Sequence, residues 1–214
     1  MRIGEIVETR SAGFVAENLE LNRPPALGSL VVVHVDANTT QTTKTTTPRG
    51  VDLYAVVTYG QTVGLDPGRH AMRRGTDTVL DAAIYQEHPE LEHVLRTEFG
   101  AALVGLQENG VIRHQLPSQP PPLHYSVHTA PSEQVQRFTD QLLYLRLLLI
   151  PHGEVPPAQV LAANIREVYR QRRDDRLWLD TAAQEIATLL KDDHQTLLTV
   201  LYAIDPDRAL MPVG

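Results

Sequence analysis

The chain has 214 residues, 42% of them apolar, with a formal net charge of -7 and no cysteine. That length supports one large domain or two small ones with a real core. The acidic balance argues against a protein that coats nucleic acid, where affinity rests on neutralising phosphates, and the missing thiols exclude disulfides, thiolate zinc sites and thiol catalysis.

The N-terminus, MRIGEIVETR, carries no apolar leader, and no apolar run approaches the roughly 20 residues that span a bilayer. The expectation is a soluble, cytoplasmic protein with no membrane partner. Arg2 to Glu8 alternates as a strand with Ile3 and Ile6 apolar, and Gly13 to Ala16 begins a second that runs toward Leu19 and Leu21. Asn22 to Pro25 is turn chemistry. Leu30 to Val35 is the clearest strand, β-branched and apolar enough to be buried on both faces. Thr39 to Thr47, rich in Thr and Gln, reads as an extended hairpin tip leading to a strand over Leu53 to Tyr59.

Gly60, Gly64, Gly68 and Gly75 follow, with Asp66-Pro67-Gly68 as a turn. Asp77 to Tyr85 fits a short helix or strand, and Pro89 opens a helical turn that leads into another strand. Ala101 to Leu106 and Val111 to His114 flank Asn109-Gly110, a pair that favours a type I′ hairpin turn. Five or six such strands predict a small closed barrel, which leaves no exposed sheet edge.

Around residue 120 the pattern changes from strand to helix. Pro120-Pro121-Pro122 is stiff and extended and sets the boundary. Beyond it, Ser132 is expected to cap a helix whose Val135, Phe138, Leu142, Leu145 and Leu149 form one stripe. Pro156 and Pro157 open a second helix, Asp180 is expected to cap a third, and the fourth runs from about His194 to Ile204. The predicted class is α+β: a barrel over 1–119, a proline-rich linker over 120–131, and about four short helices over 132–214.

None of the chemistry-bearing patterns has diagnostic spacing. Gly60 to Arg69 lacks the Gly-Lys pair of a phosphate loop, so its glycines read as a strand-to-turn corner. His88 with His93, and His124 with His128, lack a third ligand at metal-site spacing. The acidic run of Glu87, Glu90, Glu92 and Glu98 reads as a solvated face, and no Gly-x-Ser-x-Gly elbow occurs. No cofactor, metal or catalytic residue is therefore assigned. Seventeen of the nineteen basic residues are arginine, the exceptions being Lys44 and Lys191. Arg166, Arg170, Arg172, Arg173 and Arg176 are balanced by Glu167, Asp174 and Asp175, as in a salt-bridged surface. Arg69, Arg73 and Arg74, with His70, form the patch better suited to an acidic partner or nucleic acid.

The order of signals in the first half is carried by Arg2-Ile3-Gly4-Glu5-Ile6-Val7, Phe14-Val15-Ala16, Leu27-Gly28-Ser29-Leu30-Val31-Val32-Val33 and Tyr54-Ala55-Val56-Val57. It resembles the HAS barrel, the small β-barrel that begins the HerA-type DNA-translocating ATPases and is related to the N-terminal barrel of rotary ATP synthase subunits. Arg96 to Phe99, Val104-Gly105 and the Pro120 to Pro122 exit resemble that barrel's end, so the likeness covers about residues 1–125. It implies a barrel that contacts neighbouring subunits and a nuclease partner. The motor with Walker motifs has helices in its place here, so ATP hydrolysis and translocation do not carry over, and the Thr-rich segment is a second departure.

The resulting expectation is a non-enzymatic binding or assembly module. It would dock on an ATPase or nuclease of DNA processing, or on its own copies, with Arg69, Arg73 and Arg74 as interface residues. Two other readings use the same residues differently. One is a metal-dependent hydrolase using His and Glu residues of 87–128. The other is a weak single-strand binder through the barrel, although Phe14, Tyr54 and Tyr59 read as core or strand residues rather than stacking platforms.

Overall fold

A computed structural model of the chain describes residues 1–36, 50–66 and 70–205. Among these residues the first half holds β1 (Arg2–Arg10), β2 (Gly13–Asn18), β3 (Leu30–Val35), β4 (Val51–Gly64), α1 (Ala82–Glu87), α2 (Leu91–Val94), β5 (Leu95–Glu108), β6 (Val111–Arg113) and β7 (Ser126–Thr129). The second half holds α3 (Ser132–Thr139), α4 (Leu145–Leu148), α5 (Pro157–Gln171), α6 (Arg176–Leu189) and α7 (His194–Ile204). The fold is α+β, a closed six-stranded barrel followed by helices.

Strand order around the wall is β2-β1-β7-β3-β4-β5, and β5 returns to β2 from Gly13↔Ala102 to Glu17↔Glu98. Every described pairing is antiparallel. β6 stands outside the closed wall as a hairpin on β5, where Asn109 and Gly110 have φ of 52° and 78°, the sign a type I′ turn requires. The Thr-rich expectation over 39–47 lies outside the described residues, although β3 and β4 on either side of it do pair, Val35 facing Val51.

Why β3 is apolar on both faces follows from what each face meets. Val31 and Val33 point into the barrel with Ile6, Phe14, Leu53, Ala55, Val57, Phe99 and Leu103. Leu30 and Val32 point outward, onto a second core with Tyr54, Val56, Val104 and the helical residues Phe138, Leu145, Leu148, Leu161, Ile165, Trp178 and Ile186. β4 and β5 alternate in the same way. The two cores share one sheet, so the helices cover a barrel wall that would otherwise face water with an apolar surface.

A close backbone-to-backbone approach sets the seam between barrel and helices. Gly28, at φ +84°, lies so near α5 that a Cβ there would stand 2.4 Å from the Ala163 carbonyl carbon and the Asn164 nitrogen. Only glycine fits both the conformation and the space. The fully buried Asn164 donates through Nδ2 to the Gly28 carbonyl at 2.9 Å and accepts at Oδ1 from the Tyr144 hydroxyl at 3.0 Å. Burial pushes the Tyr144 phenol well above its ordinary range, so it stays protonated and donating. On the barrel side, the Gly28 N–H donates to Val57 at 2.9 Å.

Several local expectations are corrected. Ser126–Thr129, assigned to the linker, form the barrel strand β7 between β1 and β3. The proline run does not leave the barrel: Thr9 donates to the Pro121 carbonyl at 2.7 Å, and His124 N–H to Ile6 at 2.9 Å, which returns the chain to the wall. The stripe begun by Val135 is not one helix. Pro131 rather than Ser132 occupies the N-cap, and α3 ends at Thr139, where Arg172 and Trp178 capture the last carbonyls at 2.9 and 2.8 Å. Asp175, not Asp180, caps α6 by accepting from the Trp178 N–H at 3.1 Å.

Asn164→Leu is expected to cost about 2–5 kcal/mol, since it strands the buried Tyr144 hydroxyl and Gly28 carbonyl together, whereas Tyr144→Phe removes one bond and costs about 1–2 kcal/mol. Urea midpoints at unchanged slope check the ranking.

Candidate functional site

β4 and β5 are each 14 residues long, more than the wall needs. Their pairing runs past the last β2 contact at Glu98 out to Gly64↔Leu95. The ribbon carries the excursion between the two strands. Among its described residues, 65–66 and 70–94, only Leu91 is buried. α1 buries nothing, and Met72 and Leu80 are 72% and 58% exposed. Arg73, Arg74 and His70 are exposed on the same stretch, while Arg69 lies outside the described residues. Arg73 donates to the Gly75 carbonyl at 3.4 Å. Arg74 is not remote from acid: Glu90's own backbone N–H, then His88 and Arg74, hold the Glu90 carboxyl below its usual range.

A cleft of about 650 Å³ opens on the outer wall of the barrel, where the loop 151–155 between α4 and α5 overhangs β1, β2, β4 and β5. Its geometry starts from a bulge. Register shifts between Val57 and Tyr59, which reverses the alternation of β4 and lays the Tyr59 ring across Gly100 on the neighbouring strand. A Cβ at Gly100 would lie 2.1 Å from the ring's Cε1, so glycine there is what admits the ring. Glu8 and Arg10 stand at one rim, joined from Arg10 Nε to Glu8 Oε1 at 2.7 Å, with a second contact from the same guanidinium. Glu154 stands exposed on the overhanging loop, and His152 is turned away, its Nε2 3.0 Å from the Leu147 carbonyl. Burial, then the carboxylates of Glu98, Glu8 and Glu154 against the opposing Arg10, push the Tyr59 phenol up.

The remaining sequence candidates are not brought together. His88 pairs with Glu90 at 3.1 Å in the excursion, and His124 pairs with Glu5 at 3.0 Å against β1. His128 sits beside His34, ring centroids 5.1 Å apart, and His34 is bound to Asp52 at 2.7 Å. Among the described residues no group of three or more His, Asp or Glu is placed to hold a metal ion. Glu98 is buried and bound by Arg96 at 2.8 Å and Gln61 at 3.1 Å, which makes it a wall residue rather than part of a solvated face. Phe14 and Tyr54 are buried and Tyr59 lies on strand β4, as expected of core or strand residues, and the Tyr59 ring lines the cleft. The helical arginines are internally bonded: Arg172 to Asp140 at 3.0 Å, Arg166 to the Ala203 carbonyl at 2.9 Å, Arg170 to Glu167, and Arg176 over the Tyr169 ring.

No known protein-family model matches this chain, and no curated protein matches it. Among the described residues no helix is long and apolar enough to cross a membrane. Sequence reasoning missed the cleft because its parts are Glu8, Tyr59, Gly100 and Glu154, which share no motif.

Titration of tyrosine ring signals by NMR, with Tyr59→Phe for assignment, checks the electrostatics of the cleft. The Tyr59 step is expected above its ordinary position. Glu154→Gln lowers it by removing a charge that opposes the phenolate, and Arg10→Gln raises it by removing one that favours it.

Proposed function

We propose that the chain is a non-enzymatic binding and assembly module, an adaptor that docks on an ATPase or nuclease of DNA processing through the excursion between β4 and β5. The observation that carries this reading is the mounting of that excursion. A long two-stranded ribbon continuous with the barrel wall holds it out, and almost nothing in it is buried. Ordering such a segment costs conformational entropy without the burial that usually offsets it. Docking supplies the missing burial. Apolar side chains such as Met72 and Leu80 next to Arg73 and Arg74 suit a protein surface that is apolar at its centre and acidic at its rim. The nature of the partner rests on the likeness of the sequence motifs over about residues 1–125 to the HAS barrel, whose place in its family is at contacts with neighbouring subunits and a nuclease.

Arg73→Glu with Arg74→Glu tests this. Both side chains are exposed, so the double variant is expected to melt within about 2 °C of the parent, as surface substitutions do. Affinity capture from nuclease-treated native extract should recover a translocase-type ATPase or a nuclease with the parent chain and lose it with the variant. Equal recovery by both chains contradicts the docking role of these residues. Intrinsic hydrolase or nuclease activity that one point mutation abolishes contradicts the non-enzymatic reading.

A further inference from the structure

The cleft beneath the loop 151–155 has no role in docking through the excursion, and its chemistry selects a ligand. We propose that it binds the side chain of an arginine or lysine presented by an extended segment of a partner polypeptide. Its size suits that ligand: about 650 Å³ is in the range of sites that enclose a small ligand and admits a long side chain with part of its backbone. The charge pattern selects the sign. Arg10, the lining guanidinium, is engaged twice by Glu8, so it offers little to an incoming anion. Glu154 overhangs the opening, exposed, with a carboxylate that reaches the Tyr59 hydroxyl electrostatically, as does that of Glu8. A polyanion such as a nucleic-acid strand is repelled from this entrance. A neutral apolar group would take the Glu154 carboxylate out of water with nothing to pair it.

The walls select the shape. Val15 and Val155, both partly exposed, give apolar surface for a methylene stem, and the Tyr59 oxygen offers a further acceptor beside the carboxylates. A cation on an apolar stem matches both parts at once, as long basic side chains do wherever apolar surface ends in a polar rim. The excursion lies beyond this region, since β4 contributes Thr58 to Gln61 to the cleft and the excursion begins only after Gly64.

Calorimetric titration of the full chain at low salt with acetyl-Gly-Arg-Gly-amide tests the site, with the citrulline peptide as the neutral isostere. The arginine peptide is expected to bind, and the citrulline peptide to bind about tenfold more weakly, the order of one charge-assisted hydrogen bond. Glu154→Gln weakens the arginine peptide several-fold. Glu8→Gln weakens it more, because it removes one carboxylate and also frees the Arg10 guanidinium to repel the ligand. The Arg73→Glu, Arg74→Glu variant keeps the parent affinity within about twofold, as expected of two independent sites, which separates this proposal from the docking role of the excursion. Equal affinity for the two peptides, no binding at millimolar concentration, or tighter binding by Glu8→Gln would overturn it.

Discussion

The seating of α5 on Gly28 is the constraint from which the rest of the architecture follows. A backbone-to-backbone approach this close admits no side chain, and Asn164 ties the two surfaces by donating to the Gly28 carbonyl while Tyr144, from the helical half, holds its oxygen. Because the contact is made at the entry to β3, the helices lie along β3, β4 and β5. Those strands then need an apolar residue at nearly every position, one set for the barrel interior and one for the helices. The strands away from the seam carry no such demand: β1 has charged Arg2, Glu5, Glu8 and Arg10 among its nine residues.

The same arrangement makes the cleft and the excursion two consequences of one pair of strands. β4 and β5 serve the seam along their first and last halves respectively, then continue outward as a ribbon. Where they leave the helices, the bulge before Tyr59 turns a ring outward, and Gly100 leaves room for it. The loop after α4 lies across that ring, so the cleft exists only because the helices are fixed to the barrel. Farther along the ribbon, Leu91 is the one buried residue among those described between the two strands.

Much of this was legible in the residues. Runs of Val and Leu in β3, β4 and β5, and the Asn109-Gly110 turn, specify strands and a hairpin by local chemistry alone. The prolines before α5 and the helical spacing after residue 132 likewise mark helices without reference to anything distant. What was not legible depends on residues far apart in the chain. Gly28 and Asn164 are 136 positions apart, and neither announces the other. Ser126–Thr129 follows a proline run and is too short to show alternation, so it reads as linker although it pairs with both β1 and β3. Tyr59 reads as a core or strand residue, and its turn toward the outer face is hidden because a bulge leaves no mark in sequence. Asp180 reads as the cap from sequence, but the docking of Trp178 on the Thr139 carbonyl starts the helix earlier, where Asp175 accepts from the Trp178 N–H.

Native-state hydrogen exchange on the unaltered chain tests most directly whether barrel and helices form one unit. Two amides suffice: that of Val57, which bonds Ser29 at 3.0 Å beside Gly28, and that of Ile165 in α5. The account predicts that both exchange only through the same global opening, with free energies equal within about 0.5 kcal/mol. Exchange of Ile165 through an opening roughly 2 kcal/mol cheaper than that of Val57 would mean that the helices detach while the barrel stays closed, and would contradict it.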